Sequence, residues 1–100
     1  MKSRISGRAR QDLDRITSWW LREVGAPPRE LLLELRATLR VLERLPEAGV
    51  EYASSYGRPV HRILLRKSQV HVYYRVERGV VLVVTVWSVR RERGPRFYAG

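Results

Sequence analysis

The chain has 100 residues, 44% of them hydrophobic, and carries 20 Lys and Arg against 10 Asp and Glu, for a formal charge of +10. That length supports one domain, residues 1–100, with a modest core. The absence of cysteine excludes disulfides, thiolate catalysis and Cys-based zinc sites. Two histidines without a clustered acid argue against a metal site, and no cofactor is expected.

The cations are nearly all arginine, with lysine only at Lys2 and Lys67. GC-rich codon usage would favour arginine over lysine, but it does not account for the net charge. An excess of this size suits an anionic partner, either nucleic acid or an acidic protein segment, and the planar guanidinium binds phosphate and carboxylate in bidentate fashion. The opening "MKSRISGRARQDL" lacks an apolar core of signal-peptide length, and no stretch approaches the ~18 apolar residues of a membrane span. The expectation is a cytoplasmic protein without membrane contact.

Residues 2–5 read as a short strand and Ser6 as a helix N-cap. Ala9, Leu13, Ile16, Trp20 and Val24 then recur at steps of three and four, one face of an amphipathic helix ending at Gly25. Trp19 falls off that face. "GAPP" breaks the chain, and Pro28 suits the first turn of a second helix with its seam on Leu31, Leu35, Leu39, Leu42 and Leu45, stopping at Pro46. So short a link predicts an antiparallel helical hairpin. Residues 46–59 read as loop, pinned by Val50 and Tyr52.

Residues 60–66, 69–76 and 80–89 are rich in β-branched and aromatic side chains and are separated by turn-sized gaps. They predict an α+β fold in which the helical hairpin packs on one face of an antiparallel sheet with a C-terminal three-strand meander. A two-residue loop at Lys67 and Ser68 pairs Arg62 with Tyr73 and Leu64 with His71. A three-residue loop of Glu77, Arg78 and Gly79 sets Val76 opposite Val80; a two-residue loop of Arg78 and Gly79 would reverse the faces of the last strand.

With the three-residue loop, Ile63, Leu65, Val70, Val72, Tyr74, Val76, Leu82, Val84 and Val86 form the core face. The other face gathers Arg62, Leu64, Arg66, His71, Tyr73, Arg75, Thr85, Trp87 and Arg91 with the valines at 81, 83 and 89. Cations, a histidine and aromatics on one face suit RNA or another polyanion, and Arg66, Tyr73, Arg75 and Trp87 are its nucleic-acid-binding candidates. His61 reads as structural. A solvated basic face is the plain alternative, and the valines would suit a protein partner.

The order of elements, together with "ISGRARQDLDRI" and "RILLRKSQVHVYYRVERGVVLVVTVWSVRRERG", resembles the RelE/ParE superfamily of bacterial type II toxins. The family's opening places an Ala and an Asp-Leu pair at the first helix. Its core carries an apolar-basic strand, a "YR" near the end of the next, and arginines directly after a Val-rich strand. The resemblance implies a toxin made with an antitoxin whose acidic, extended segment wraps around it. It also implies one of two mechanisms: RelE-like members cleave mRNA on the ribosome, and ParE-like members poison DNA gyrase.

In the RelE-like set, Arg62 matches the first basic position, Arg91 the arginine after the last strand, and Tyr98, or Phe97 without a gap, the C-terminal tyrosine. Leu64 stands where a second lysine is expected and His71 where an arginine is expected. Cleavage needs a base, an acid and a cation for the phosphate. His71 would serve as base or acid, Arg62 and Arg91 would hold the phosphate, and Tyr73 or Tyr98 would stack on a base. The long helical hairpin looks instead like the gyrase-directed branch, which needs no catalytic residues. The resulting expectation is a toxin, with mRNA cleavage on the ribosome ahead of gyrase poisoning and a non-toxic nucleic-acid-binding module third.

Overall fold

A computed structural model of the chain describes residues 1–55, 57–89 and 95, with the backbone alone at Ser55. The elements are β1 (Lys2–Ile5), α1 (Gly7–Glu23), α2 (Arg29–Arg44), β2 (Val50–Ser55), β3 (Arg58–Leu65), β4 (Val70–Glu77) and β5 (Val80–Ser88). The strands form one mixed sheet in the order β1-β5-β4-β3-β2, antiparallel except where β1 runs parallel to β5. The α+β architecture is the one the sequence predicts, with an additional strand. None of the helices among the described residues is long and apolar enough to cross a membrane.

That strand, β2, occupies part of the expected loop and turns the three-strand meander into four. Its Glu51, Ala53 and Ser54 are poor strand formers, but an edge strand needs only one neighbour, and β2 pairs with β3 across a bulge at Tyr52.

Both helices lie on one face of the sheet. Ala9 of α1 and Leu31 and Leu35 of α2 pack with Leu65, Val70, Val72, Val83 and Val86, and burial of each leucine contributes about 2 kcal/mol. A second cluster joins Leu42 to Tyr74 and Val81. Val24 and Leu45, at the ends of the predicted helical seams, are exposed instead, because each lies just past its helix as the C-cap residue.

Ser6 caps α1 as expected. Its hydroxyl accepts from Ala9 N–H at 3.0 Å and donates to the Val84 carbonyl at 2.9 Å, so one side chain ties the helix start to β5. Gly25, at φ +81°, ends the helical turn in the left-handed conformation that glycine tolerates best.

The β3–β4 turn spans residues 66–69 and not two residues, yet Arg62–Tyr73 and Leu64–His71 pair as predicted. It is closed by Gln69 N–H on the Leu65 carbonyl, with Gln69 itself at φ +56°. The β4–β5 turn is the two-residue loop, Arg78 and Gly79, both left-handed at φ +51° and +73°. The three-residue reading fails because it gave the left-handed conformation to Gly79 alone.

Near this turn Arg75 pairs with Leu82, and Val76 with Val81. Between Tyr73 and Tyr74 the register shifts by one residue on β5, so Tyr73 pairs with Thr85 and His71 with Trp87. Val81 and Val83 therefore belong to the core, whereas Leu82 and Val84 do not; the sequence reading had both pairs reversed. Beyond the shift Val86 is in the core and Trp87 shares the face of His71, as predicted, although the predicted register set Thr85 and not Trp87 directly opposite His71.

Candidate functional site

The face of the sheet away from the helices centres on Arg62. Its guanidinium lies 5.2 Å from the centre of the Tyr52 ring. Tyr52 meets Tyr73 edge to face at 4.8 Å, and His71 meets Tyr73 in the same way at 6.1 Å. The extra β2 strand thus supplies an aromatic residue that the sequence reading had assigned to a loop. Tyr52 also donates to the carbonyl of Pro95 at 3.3 Å, and Pro95 is buried.

Tyr73 is only 1% exposed. Burial pushes its hydroxyl above the usual tyrosine range; the hydrogen bond from Arg62 opposes that rise and proximity to Tyr52 adds to it. This expected base-stacking tyrosine is therefore part of the interior, with Tyr52 of the unforeseen edge strand packed against its ring. His71 remains half-buried, and burial, reinforced by the Arg62 charge, holds it below the ordinary 6.5. A neutral imidazole at neutral pH accepts a proton and is poorly placed to donate one.

A shallow recess of about 310 Å³ opens beside Arg62, Leu64 and His71, against Ala48, Gly49 and Val50. Tyr74 fixes that wall from within, its hydroxyl donating to the Pro46 carbonyl at 2.7 Å and accepting from Gly49 N–H at 2.9 Å. A Cβ on Gly49 would lie 2.6 Å from that hydroxyl and 2.8 Å from the Arg62 carbonyl, so only glycine fits there. His61 stacks on Tyr74 at 5.4 Å, the structural role expected of it.

The other candidates separate. Arg75 Nε lies 3.0 Å from the carboxylate of Glu77, which also pairs with Arg58, so its charge is already partnered. Arg66 is exposed in the β3–β4 turn and not on the strand, and Trp87 is half-buried opposite His71. Thr85, expected on this face, is fully buried. Arg91 and Tyr98, with Arg90, Arg93 and Phe97, lie outside the described residues.

In the interior the Thr85 hydroxyl donates to Asp12 of α1, which satisfies it there. The same carboxylate oxygen of Asp12 accepts from Val86 N–H at 3.3 Å, and its other oxygen pairs with Arg15 at 3.5 Å. Asp12 and Ser6 thus continue the hydrogen bonding along β5 where β1 stops, supplying partners at the register shift. A legible signal existed: Asp12 sits three residues after Ala9 and four before Ile16, a carboxylate on the apolar face of α1.

A family model described as ParE toxin of type II toxin-antitoxin system, parDE, matches residues 4–93. No curated protein matches. Among solved structures, a chain of the chromosomal ParDE TA system from P. aeruginosa superposes with a TM-score of 0.61 at 18% identity, covering 90% of this chain and 97% of that one. At that identity the likeness is one of fold.

Proposed function

Because the chain belongs to the ParE family of toxins of type II toxin-antitoxin systems, we propose that it arrests growth by poisoning DNA gyrase and is held inactive by a cognate antitoxin with an acidic segment. The burial of Tyr73 carries this reading against RNA cleavage. Tyr73, one of the two tyrosines expected to stack on a base, is enclosed with Tyr52 against it, and the His71 imidazole near Arg62 is held in its neutral form. A surface of this kind binds a macromolecule by charge and shape and asks for no acid–base pair. The chain's formal charge of +10 suits both the acidic antitoxin and a DNA-bound target.

Ribosome-dependent mRNA cleavage is the second reading, favoured by one observation. His71 and Arg62 border the same recess, where a phosphate held by the arginine would lie near a neutral base. The purified toxin is expected to inhibit supercoiling by gyrase, and His71→Gln to leave that inhibition within about threefold. The nuclease reading requires His71→Gln to lower ribosome-dependent cleavage by about a hundredfold or more. Cleavage with wild-type protein and no effect on gyrase would reject the gyrase proposal.

A further inference from the structure

On the helix side of the sheet, α1, the α1–α2 connection and the β3–β4 turn enclose a groove of about 720 Å³. Four cations on separate parts of the fold border it: Arg15 and Arg22 of α1, Arg29 at the start of α2, and Lys67 in the turn. Its two carboxylates are Asp12, held by Thr85, Val86 and Arg15, and Glu30. Glu34 of α2 also binds the turn beside Lys67, so the free positive charge rests chiefly on Arg22 and Arg29.

The groove's aliphatic floor is already taken up by the core, with Leu31, Val70 and Val86 only 3%, 4% and 3% exposed. What remains open to a ligand is the Trp19 indole, with exposed Pro27 and half-buried Ile16 and Trp20 beside it. Trp19 is 42% exposed and stands edge to face with Trp20 at 5.8 Å and 82°. A protein helix is anchored by a row of apolar side chains, whereas the exposed lining here is chiefly polar and cationic, with only Trp19 and Pro27 apolar. An exposed aromatic surface ringed by arginines matches unpaired bases and their phosphates.

We propose that this groove binds single-stranded nucleic acid, with bases stacked on Trp19 and phosphates held by Arg22, Arg29 and Lys67. A duplex would not serve, because its base faces are hidden within the stack. The site is separate from the Arg62 face and goes beyond the gyrase reading.

The test is fluorescence anisotropy of a labelled oligothymidylate titrated with the purified full chain, followed in parallel by quenching of the indoles. The expected result is saturable binding whose log K falls with log salt by about 0.7 per phosphate held. Trp19→Ala should weaken binding about 5- to 100-fold, and Arg22→Glu with Arg29→Glu by at least about tenfold. All three residues are exposed, and circular dichroism verifies that the variants fold. Absence of saturable binding would overturn the proposal, as would equal affinity for an abasic oligonucleotide. Two further outcomes count against it: preferential binding of an acidic peptide bearing apolar residues, and loss of binding on Arg62→Glu while the groove variants bind normally.

Discussion

From Leu65–Val70 to His61–Tyr74 the β3–β4 hairpin pairs without interruption, whereas the β4–β5 hairpin breaks its register between Tyr73 and Tyr74. Each is steadied from the helical layer by one carboxylate. Glu34 of α2 accepts from Lys67 N–H at 3.0 Å and from the N–H and hydroxyl of Ser68 at 2.9 and 2.7 Å, clipping the turn of the regular hairpin at the surface. Asp12 of α1 does the corresponding work in the interior, at the irregularity itself. A regular ladder needs help only at its end, while a shifted one needs buried partners for the groups the shift displaces. The second carboxylate should therefore matter more.

Asp12→Ala tests this most directly. Leaving Thr85 and Val86 N–H without an acceptor should cost about 3 kcal/mol, a fall in melting temperature on the order of 15 °C for a domain of this size. Asp12→Asn, which keeps an acceptor, should recover part of the loss in the same thermal melts. An Asp12→Ala protein that melts with the wild type would remove the contrast between the hairpins.

Glu34→Ala comes next, at about 1 kcal/mol by urea titration at neutral pH. Burial alone would raise the Glu34 carboxyl, but bonds from Lys67 N–H and from the hydroxyl and N–H of Ser68, with the Lys67 charge, hold it below 4.5. Its contribution is present above the unfolded value and is lost as pH falls through the folded one. The difference between wild type and Glu34→Ala should thus narrow below about pH 4.5.

The smallest effect belongs to His71. Because burial and Arg62 lower its affinity for protons in the fold, the unfolded chain binds the proton first on acidification. Stability should fall as pH drops below the ordinary 6.5 toward the lower folded value, and His71→Gln should flatten that part of the melting curve. An unchanged slope in the variant would place the acid sensitivity elsewhere.

The hairpins also differ in how far the sequence revealed them. Alternation in "RILLR" and "VHVYY" sufficed for the first, because nothing interrupts it and the turn length does not alter the pairing. For the second, the shorter turn displaced the pairing by one residue, and the bulge displaced it by one more in the same direction, giving a two-residue displacement that preserves facing. Trp87 consequently shares the face of His71 as predicted, with a different direct partner, although Val81 and Val83 face opposite to prediction. Periodicity carries no mark of a single inserted residue. The basic centre at Arg62 and His71 was legible from strand parity alone, but the enclosure of Tyr73 was not, since it depends on Tyr52 in a segment whose Glu, Ala and Ser content hides a strand.

The parallel pairing of β1 with β5, in which Lys2 meets Val80 and Ile5 meets Val83, imposes an order on how the molecule is made. Strand β1 waits for β5 before it can pair, while the β2–β5 meander needs only neighbours in the chain. Closing that long loop is the slow, non-local step. Until β5 has been made, the growing polypeptide therefore carries β1 unpaired and lacks the platform on which α1 packs, so the sheet is completed only by its last strand.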